Sequence, residues 1–585
     1  MELLPAPPVL RFAFEEEFCP LCGARLKALK SRRRRVATLH IGGFVADETI
    51  MFCERCPAQP RFRSRELAGL VSDGCNFGHD VMTHIGRSLF QQSRSVKDTM
   101  AGLAERNVRI SASGIRLLGA RFVAGLGAAH AETMPAIRQG LDASGGYVLH
   151  LDSTCRKGSS HLMTGLDEIS GLVLLNFKMG GESTVEVEEF LREMGRRYGP
   201  PAAACCDMSS QILGALETVF RGTPVFICHF HFLRDLGKDL LEPLYAVVRA
   251  RLRRHGVKTE LARIQRDLAI RFGVTPEAVV ELVERDGGAK PAKADGASRA
   301  VALSALVRSA LEAGGESDGC GFPFDRPHLK FFQRTKDVLE AMKTLRVSEE
   351  VEPRMRRNQD SAIGKLGALH DDRKLSAAAK EMELLSAVFD RLRTAMRIAE
   401  PDMGNGLNDN GDHDMPSIEG RVGDFRVGLA KDKGMMAREA IQSMLDQMDK
   451  YWNMLFCDPI TLQTTTGERT VQPQRTNNIL EQFFRRLGHN HRKRTGSNPS
   501  PRSLDKMPVD LPLVANLDNQ DYMRMLLGEC ESLEQRLAKV DRRVVNASME
   551  MTRKATGWLP RKVCEALREK LAPSRIASYF TGKAD

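Results

Sequence analysis

Tyr147-Val-Leu-His-Leu-Asp152 and Ala202-Ala-Ala-Cys-Cys-Asp207 are the stretches on which the fold turns. Each is a short apolar run ending on an aspartate, the pattern of a buried strand that delivers a carboxylate to the edge of a sheet. Between them, Leu172-Val-Leu-Leu-Asn-Phe177 reads as the hairpin partner of the first run, and Thr184 to Arg197 reads as a helix. Beyond them, Ser209 to Phe220 reads as a second helix and Pro224-Val-Phe-Ile-Cys-His229 as a further strand. Strands that pair as a hairpin and then alternate with helices make a mixed α/β sheet.

The rest of the chain is large enough to surround such a sheet. With 585 residues the length predicts about three to four domains, and 42% hydrophobic content is ample for a core. No apolar run approaches the ~18 to 20 residues that a spanning helix requires. Glu15, Glu16 and Glu17 stand where a signal peptide would be apolar, so a soluble, unsecreted protein without a membrane partner is expected. Thirteen cysteines are too scattered for a disulfide scaffold in so long a chain, which fits a reducing cytoplasm. The net charge of +11 favours a polyanionic partner and by itself suits DNA, RNA or an anionic surface equally.

Upstream of the sheet, Cys19-Pro-Leu-Cys22 and Cys53-Glu-Arg-Cys56 each place two thiolates on a tight knuckle. Two knuckles supply the four soft ligands of a closed, structural zinc site; the competing reading is four unrelated buried cysteines. Val36 to Ile41 and Thr49 to Phe52 read as strands of a zinc ribbon over 1–75, with Arg32, Arg33, Arg34 and Arg35 on its loop. That arginine run is either a solvated face or a phosphate clamp. Over 76–140 the periodicity turns helical, with Val81, Ile85 and Leu89, then Val96, Met100 and Leu103, then Ile115, Leu118 and Phe122 each marking one face. Three helices joined this tightly resemble a helix-turn-helix DNA-binding domain, whose recognition helix would run from about Ser111 to Ala124 and present Arg116 and Arg121. A small bundle without groove contact is the alternative.

The strand and helix order over 145–240 matches the ribonuclease H-like fold. The chain also resembles a DDE transposase of a bacterial insertion sequence, in the group that includes Mutator-like and hAT elements. The residues that carry the likeness are Leu151-Asp152-Ser-Thr, Cys206-Asp207-Met-Ser-Ser, Cys228-His-Phe-His231, Thr476-Asn-Asn-Ile-Leu-Glu481 and Arg492-Lys-Arg-Thr-Gly496. They lie in 147–240 and 470–500. The resemblance implies catalysis by Asp152, Asp207 and Glu481, with Cys228 and His231 shaping the core beside the second acid. It also implies a homo-oligomer, because two transposon ends must be brought together.

Two divalent ions, magnesium or manganese, activate one oxygen and stabilise another in phosphodiester chemistry, and they need hard carboxylate ligands. Asp152, Asp207 and Glu481 are the expected ligands. Each acid also has a plain reading, since a strand-end aspartate is often a turn residue and Asn478-x-x-Glu481 fits a capping box. Glu182 and Glu419 are the reserves for the third acid. After Glu481 come Arg485, Arg486, Arg492, Lys493 and Arg494, charges suited to neutralising a DNA backbone. A core histidine is the plain reading of His231, and Cys155, Cys205 and Cys206 read as small core residues.

The long interval between Asp207 and Glu481 implies an inserted domain over 241–460, rich in Ala, Leu, Arg and Glu and therefore helical. Gly287 to Gly296 and Pro401 to Gly411 read as connectors within it. The core would resume over 461–500, followed by a linker and carboxy-terminal helices over 501–585. There Leu526, Leu533, Leu537, Val540 and Val544 form a stripe fit for a partner subunit or for packing back on the insert. The expected architecture is a multidomain α/β protein: zinc ribbon, helix-turn-helix, ribonuclease H-like mixed sheet interrupted by an all-α insertion, and a helical tail. The expected function is a cytoplasmic, nucleoid-associated bacterial transposase that binds the terminal inverted repeats of double-stranded DNA, then cuts and joins strands into target DNA. The alternatives are a domesticated or inactive transposase that only binds DNA, and a nuclease that cleaves without joining.

Overall fold

The computed structural model describes residues 7–284, 296–312, 319–345, 352–398 and 415–555. The connectors expected at 287–296 and 401–411 fall outside the described residues, except Gly296, which opens a helix. The chain divides into two compact units. The first comprises Met1–Val225, Pro459–Pro473 and Asn477–Asp585; the second comprises Phe226–Asp458 with Gln474–Thr476. The architecture is mixed α/β with a four-cysteine cluster.

In the first unit, β1 (Val9–Ala13), β2 (Lys27–Thr38), β3 (Gly42–Phe52) and β4 (Arg61–Phe62) form one small sheet. β3 is central, antiparallel to β2 and β4 and parallel to β1. The arginine run therefore lies within β2, not on a loop. Antiparallel pairing with β3 continues through it, Arg32 opposite Glu48 and Arg33 opposite Asp47, and the turn comes later, between Thr38 and Gly42. Cross-strand opposite charges make a strand of arginines tolerable.

Helices His79–Gly86 and Val96–Glu105 follow, and the third runs over Ala112–Ala143. Ser95 and Ser111 cap the last two, each accepting a backbone N–H through its hydroxyl. The third helix is far longer than the expected recognition helix of 111–124. Its apolar stripe does not stop there: Leu126, Ala129, His130, Ile137 and Leu141 continue it into the core.

The large sheet has the order β7-β6-β5-β8-β9, from β5 (Val148–Thr154), β6 (His161–Asp167), β7 (Val173–Met179), β8 (Ala203–Cys206) and β9 (Val225–Ile227). β5, β6 and β7 are antiparallel neighbours, and β8 runs parallel to β5. The hairpin partner of β5 is thus β6, not Leu172–Phe177, which lies one strand further out. Gly165 at the centre of β6 disguises that strand in the sequence, because glycine weakens a strand pattern. A Cβ there would lie 2.5 Å from Met194 Cε and 3.1 Å from Phe190 Cζ, so the side chains packed on β6 would have to shift. Helices Thr184–Tyr198 and Ser210–Val219 fall where the periodicity places them.

After the hairpin of β10 (Ile460–Thr464) and β11 (Gly467–Val471), helix Asn478–Thr495 contributes Leu480 and Phe483 to the same core as Leu149 and Leu151. The segment expected as a linker contains helix Pro501–Asp505 and a 3₁₀ stretch, Leu511–Asp518. The tail stripe packs within its own unit. Leu526, Leu533, Leu537 and Val540 are buried in the first unit's core, while Val544 is 51% exposed. Arg536 fastens them, donating to the Leu526 and Ala129 carbonyls and pairing with Glu132 on the long helix.

The second unit is helical, as its composition implies, but its first helix begins at His229 rather than near 241. Phe389 and Pro323 close on Gly237 of that helix, where a Cβ would lie 2.5 Å from each ring.

Candidate metal centres and acidic site

The two aspartates meet because of strand register. Parallel pairing sets Val148 opposite Ala203, Leu149 opposite Ala204 and His150 opposite Cys205. Carried two residues on, it sets Asp152 beside Asp207. Asp152 is not the end of its strand, which continues to Thr154. Each carboxylate is steadied locally: Ser153 N–H donates to Asp152 at 2.7 Å and Ser209 N–H donates to Asp207 at 2.9 Å.

Glu481 and Glu182 complete an acidic site. Burial, then the charge of Asp207, push the Asp152 carboxyl up to about 8, with Glu481 and Glu182 adding to the effect and the Ser153 amide opposing it. Four carboxylates therefore share one field. Among the described residues, the four cysteines and not these acids form a group of ligand atoms close enough together to hold a metal ion. The donor set of the acids is all hard oxygen, which suits magnesium or manganese.

Glu182 stands just before helix Thr184–Tyr198, beyond β7. It accepts from the Ser153 hydroxyl at 2.6 Å and, through its other oxygen, from the Ser209 hydroxyl at 2.8 Å. His161 lies 3.8 Å from Glu182 and 3.2 Å from the Ser153 hydroxyl. Glu182 thus ties together the residues that follow both aspartates. The other reserve, Glu419, belongs to the second unit and accepts from the Trp452 indole.

Sequence reasoning did not single out His150, Glu168 and Asn477. His150 is fully buried, with Nε2 2.9 Å from Glu168 and Nδ1 2.9 Å from the Asn477 side-chain oxygen. Asn477, also fully buried, donates through its amide nitrogen to the Leu151 carbonyl at 3.1 Å. The signal lay in plain view as a histidine inside an otherwise apolar strand and a doubled asparagine before a helix. The capping box suggested for Asn478 and Glu481 does not form: the cap residue is Asn477, and its side chain makes no capping bond.

In the same unit, Cys19, Cys22, Cys53 and Cys56 form a cluster that could hold a structural metal such as zinc. Zn–S bonds of about 2.3 Å imply sulfur separations near 3.8 Å in a tetrahedron. The Cys19–Cys56 and Cys22–Cys53 separations are 3.9 and 3.5 Å. The Leu21 amide donates to Cys19 Sγ, and the Gly23 turn at φ +67° returns the chain so that Cys19 N–H meets the Ala24 carbonyl. Against the opposing effect of burial, the Cys56 amide and neighbouring thiols draw Cys53 down to about 7; the Cys22 thiol, then burial, push Cys56 up to about 12. Such a cluster keeps some protons at neutral pH unless a cation displaces them.

No known protein-family model matches the chain, and no curated protein does. The remaining residues singled out in the sequence are therefore placed by their own surroundings. Cys228 and His231, both buried, are the cap residue and a first-turn residue of the first helix of the second unit. Burial, then Arg234, hold His231 down to about 3, so it is a neutral core imidazole at neutral pH. Cys205 and Cys206 are buried strand residues, while Cys155 is exposed.

The basic residues divide into committed and open ones. Arg33 pairs with Asp47, Arg34 donates to the Ser72 and Cys75 carbonyls, and Arg121 donates to Cys75 Sγ. Arg494 lies over the Phe90 ring at 4.8 Å. Arg32, Arg35, Arg116, Arg485, Arg486, Arg492 and Lys493 are exposed. Among the described residues no helix is long and apolar enough to cross a membrane.

Proposed function

We propose that the chain is a DDE transposase, with a ribonuclease H-like core, that cuts and joins DNA strands using two divalent ions. The observation that carries this reading is the shared field of Asp152, Asp207 and Glu481, brought together by adjacent parallel strands and a helix from far along the chain. The sheet order, with β5 central between an antiparallel β6-β7 side and a parallel β8 side, supports it. Asp152, Asp207 and Glu481 would hold magnesium or manganese. The ions supply Lewis-acid activation of an attacking oxygen and stabilisation of the leaving one.

The chain's own residues do the rest in this reading. Glu182 keeps the strand after Asp152 and the turn after Asp207 together, and the exposed arginines after Glu481 neutralise backbone phosphates. Arg32 and Arg35 on the metal-bearing sheet and Arg116 on the long helix contact the terminal repeats. Two ends held at once call for a homo-oligomer.

The test is cleavage and joining of labelled DNA from the two flanks of the gene, with magnesium or manganese, by wild type, Asp152→Ala and Glu481→Ala. Metal-dependent joining that both variants lose, with DNA binding intact, is the expected result. Cleavage without joining would favour a nuclease, and binding without cleavage a DNA-binding protein that has lost its activity.

A further inference from the structure

We infer that Asn477 is a positioning residue that sets the third acid against the first. The inference rests on the reading of Asp152, Asp207 and Glu481 as a metal-holding triad, and deepens it.

Asn477 touches both acidic residues' immediate backbones. Its side chain donates to the carbonyl of Leu151, the residue before Asp152, and its own carbonyl accepts the N–H of Glu481. One residue therefore links the strand of one acid to the first turn of the helix bearing the other, across more than three hundred positions of sequence.

The side chain gives up a local role to do this. Asparagine at a helix cap ordinarily accepts an N–H of the first turn, an interaction of about 1 kcal/mol. Here that bond is absent and the amide is spent on the strand. The Leu151 carbonyl can only accept, so the amide nitrogen must face it and the amide oxygen must face His150. That oxygen makes His150 Nδ1 a donor, and the ring's other nitrogen faces the Glu168 carboxylate. Glu168 is itself anchored, its N–H donating to the Val148 carbonyl. The side chain of Asn477 thus bonds His150 and Leu151 of β5, and His150 in turn meets Glu168 in the turn that follows β6. Such outer partners of metal ligands typically change metal affinity by about 10- to 100-fold when removed.

The experiment is Mn²⁺ binding to the full-length protein, followed by electron paramagnetic resonance, in wild type, Asp152→Asn, Asn477→Ala and the isosteric Asn477→Asp, with thermal melting of each. Asn477→Asp keeps the oxygen for His150 and loses the donor to Leu151. The expected result is Mn²⁺ binding that Asp152→Asn removes and that both Asn477 variants weaken by about 10-fold or more, in proteins that still melt cooperatively. Phe483→Leu, a core change on the same helix, should lower the melting temperature without moving Mn²⁺ affinity. Unchanged Mn²⁺ affinity in folded Asn477 variants would overturn the inference and leave the triad standing. Failure of both Asn477 variants to fold would also overturn it, making the residue a general core contact. Absence of any Asp152-dependent Mn²⁺ in wild type would instead overturn the metal reading itself.

Discussion

Glu182 and Ser153 are joined by a 2.6 Å hydrogen bond, and Ser153 is the residue directly after Asp152. The other Glu182 oxygen holds Ser209, two residues after Asp207. A single carboxylate thereby staples the strand segment that follows Asp152 to the turn that follows Asp207. Net hydrogen bonds of this kind contribute about 0.5–1.5 kcal/mol each. Glu182→Ala should destabilise the first unit by about 1–2 kcal/mol in chemical denaturation. Glu182→Gln, whose amide can still bond both hydroxyls, should cost less. Equal losses for the two variants would show that the charge, not the bridge, matters.

Asp152 makes stability depend on pH in a defined direction. Its folded carboxyl is pushed up to about 8, far above the usual carboxylate range, by burial and by the neighbouring acids. A raised folded pKa means that the folded state holds the proton more tightly. The stabilisation is complete below the unfolded value and is lost as pH rises towards 8. Without divalent cations, Asp152→Asn should therefore raise the melting temperature relative to wild type more at pH 8 than at pH 5. Added magnesium should raise the wild-type melting temperature at pH 8 and leave Asp152→Asn unmoved, because a ligand stabilises only the state that binds it.

The cysteine cluster should behave as a local fold. Cys19, Leu26 and Cys53 form their own small core with Phe14 and Phe62, separate from the core of the large sheet. Wild type should take up one equivalent of zinc, and Cys53→Ser should take up none and show increased hydrogen exchange in β1 to β4. Protection of β5 to β8 should persist. Loss of protection in both sheets would refute this independence.

Among the arginines of β2, position should outrank charge. Arg32→Ala and Arg35→Ala should each weaken DNA binding and reduce the salt dependence, by about 0.9 in the log–log slope for each phosphate that is no longer neutralised. Arg34→Ala should instead lower stability, since its guanidinium satisfies the Ser72 and Cys75 carbonyls. Salt-dependent titrations of the variants against one DNA duplex decide this.

The tail should be integral to the first unit. Leu537 is 5% exposed and belongs to the core that includes Leu126 and Ala129. Leu537→Ala should cost about 2–5 kcal/mol, and a protein truncated after Asp518 should be markedly less stable. A truncated chain with an unchanged melting temperature would contradict the packing.

The features legible in the amino-acid order are local ones. The two Cys-x-x-Cys knuckles, the serine caps at Ser95 and Ser111, the helix after Glu182 and the apolar strands ending near Asp152 and Asp207 all follow from spacing and periodicity within a few residues. Long-range pairings, by contrast, emerged with the folded chain. Glycine inside β6 hid the true partner of β5, and nothing in a periodic stripe says whether Leu537 packs on a partner, on the insert or on the long helix. The same holds at the acidic site. Sequence could nominate Asp152, Asp207 and Glu481, but strand register set the two aspartates side by side. The buried amide of Asn477, bonded to His150 and Leu151, tied the third acid's helix to the first acid's strand. Hydrogen bonds across so many residues leave no period in the sequence, because they depend on three-dimensional closure rather than on neighbouring backbone geometry.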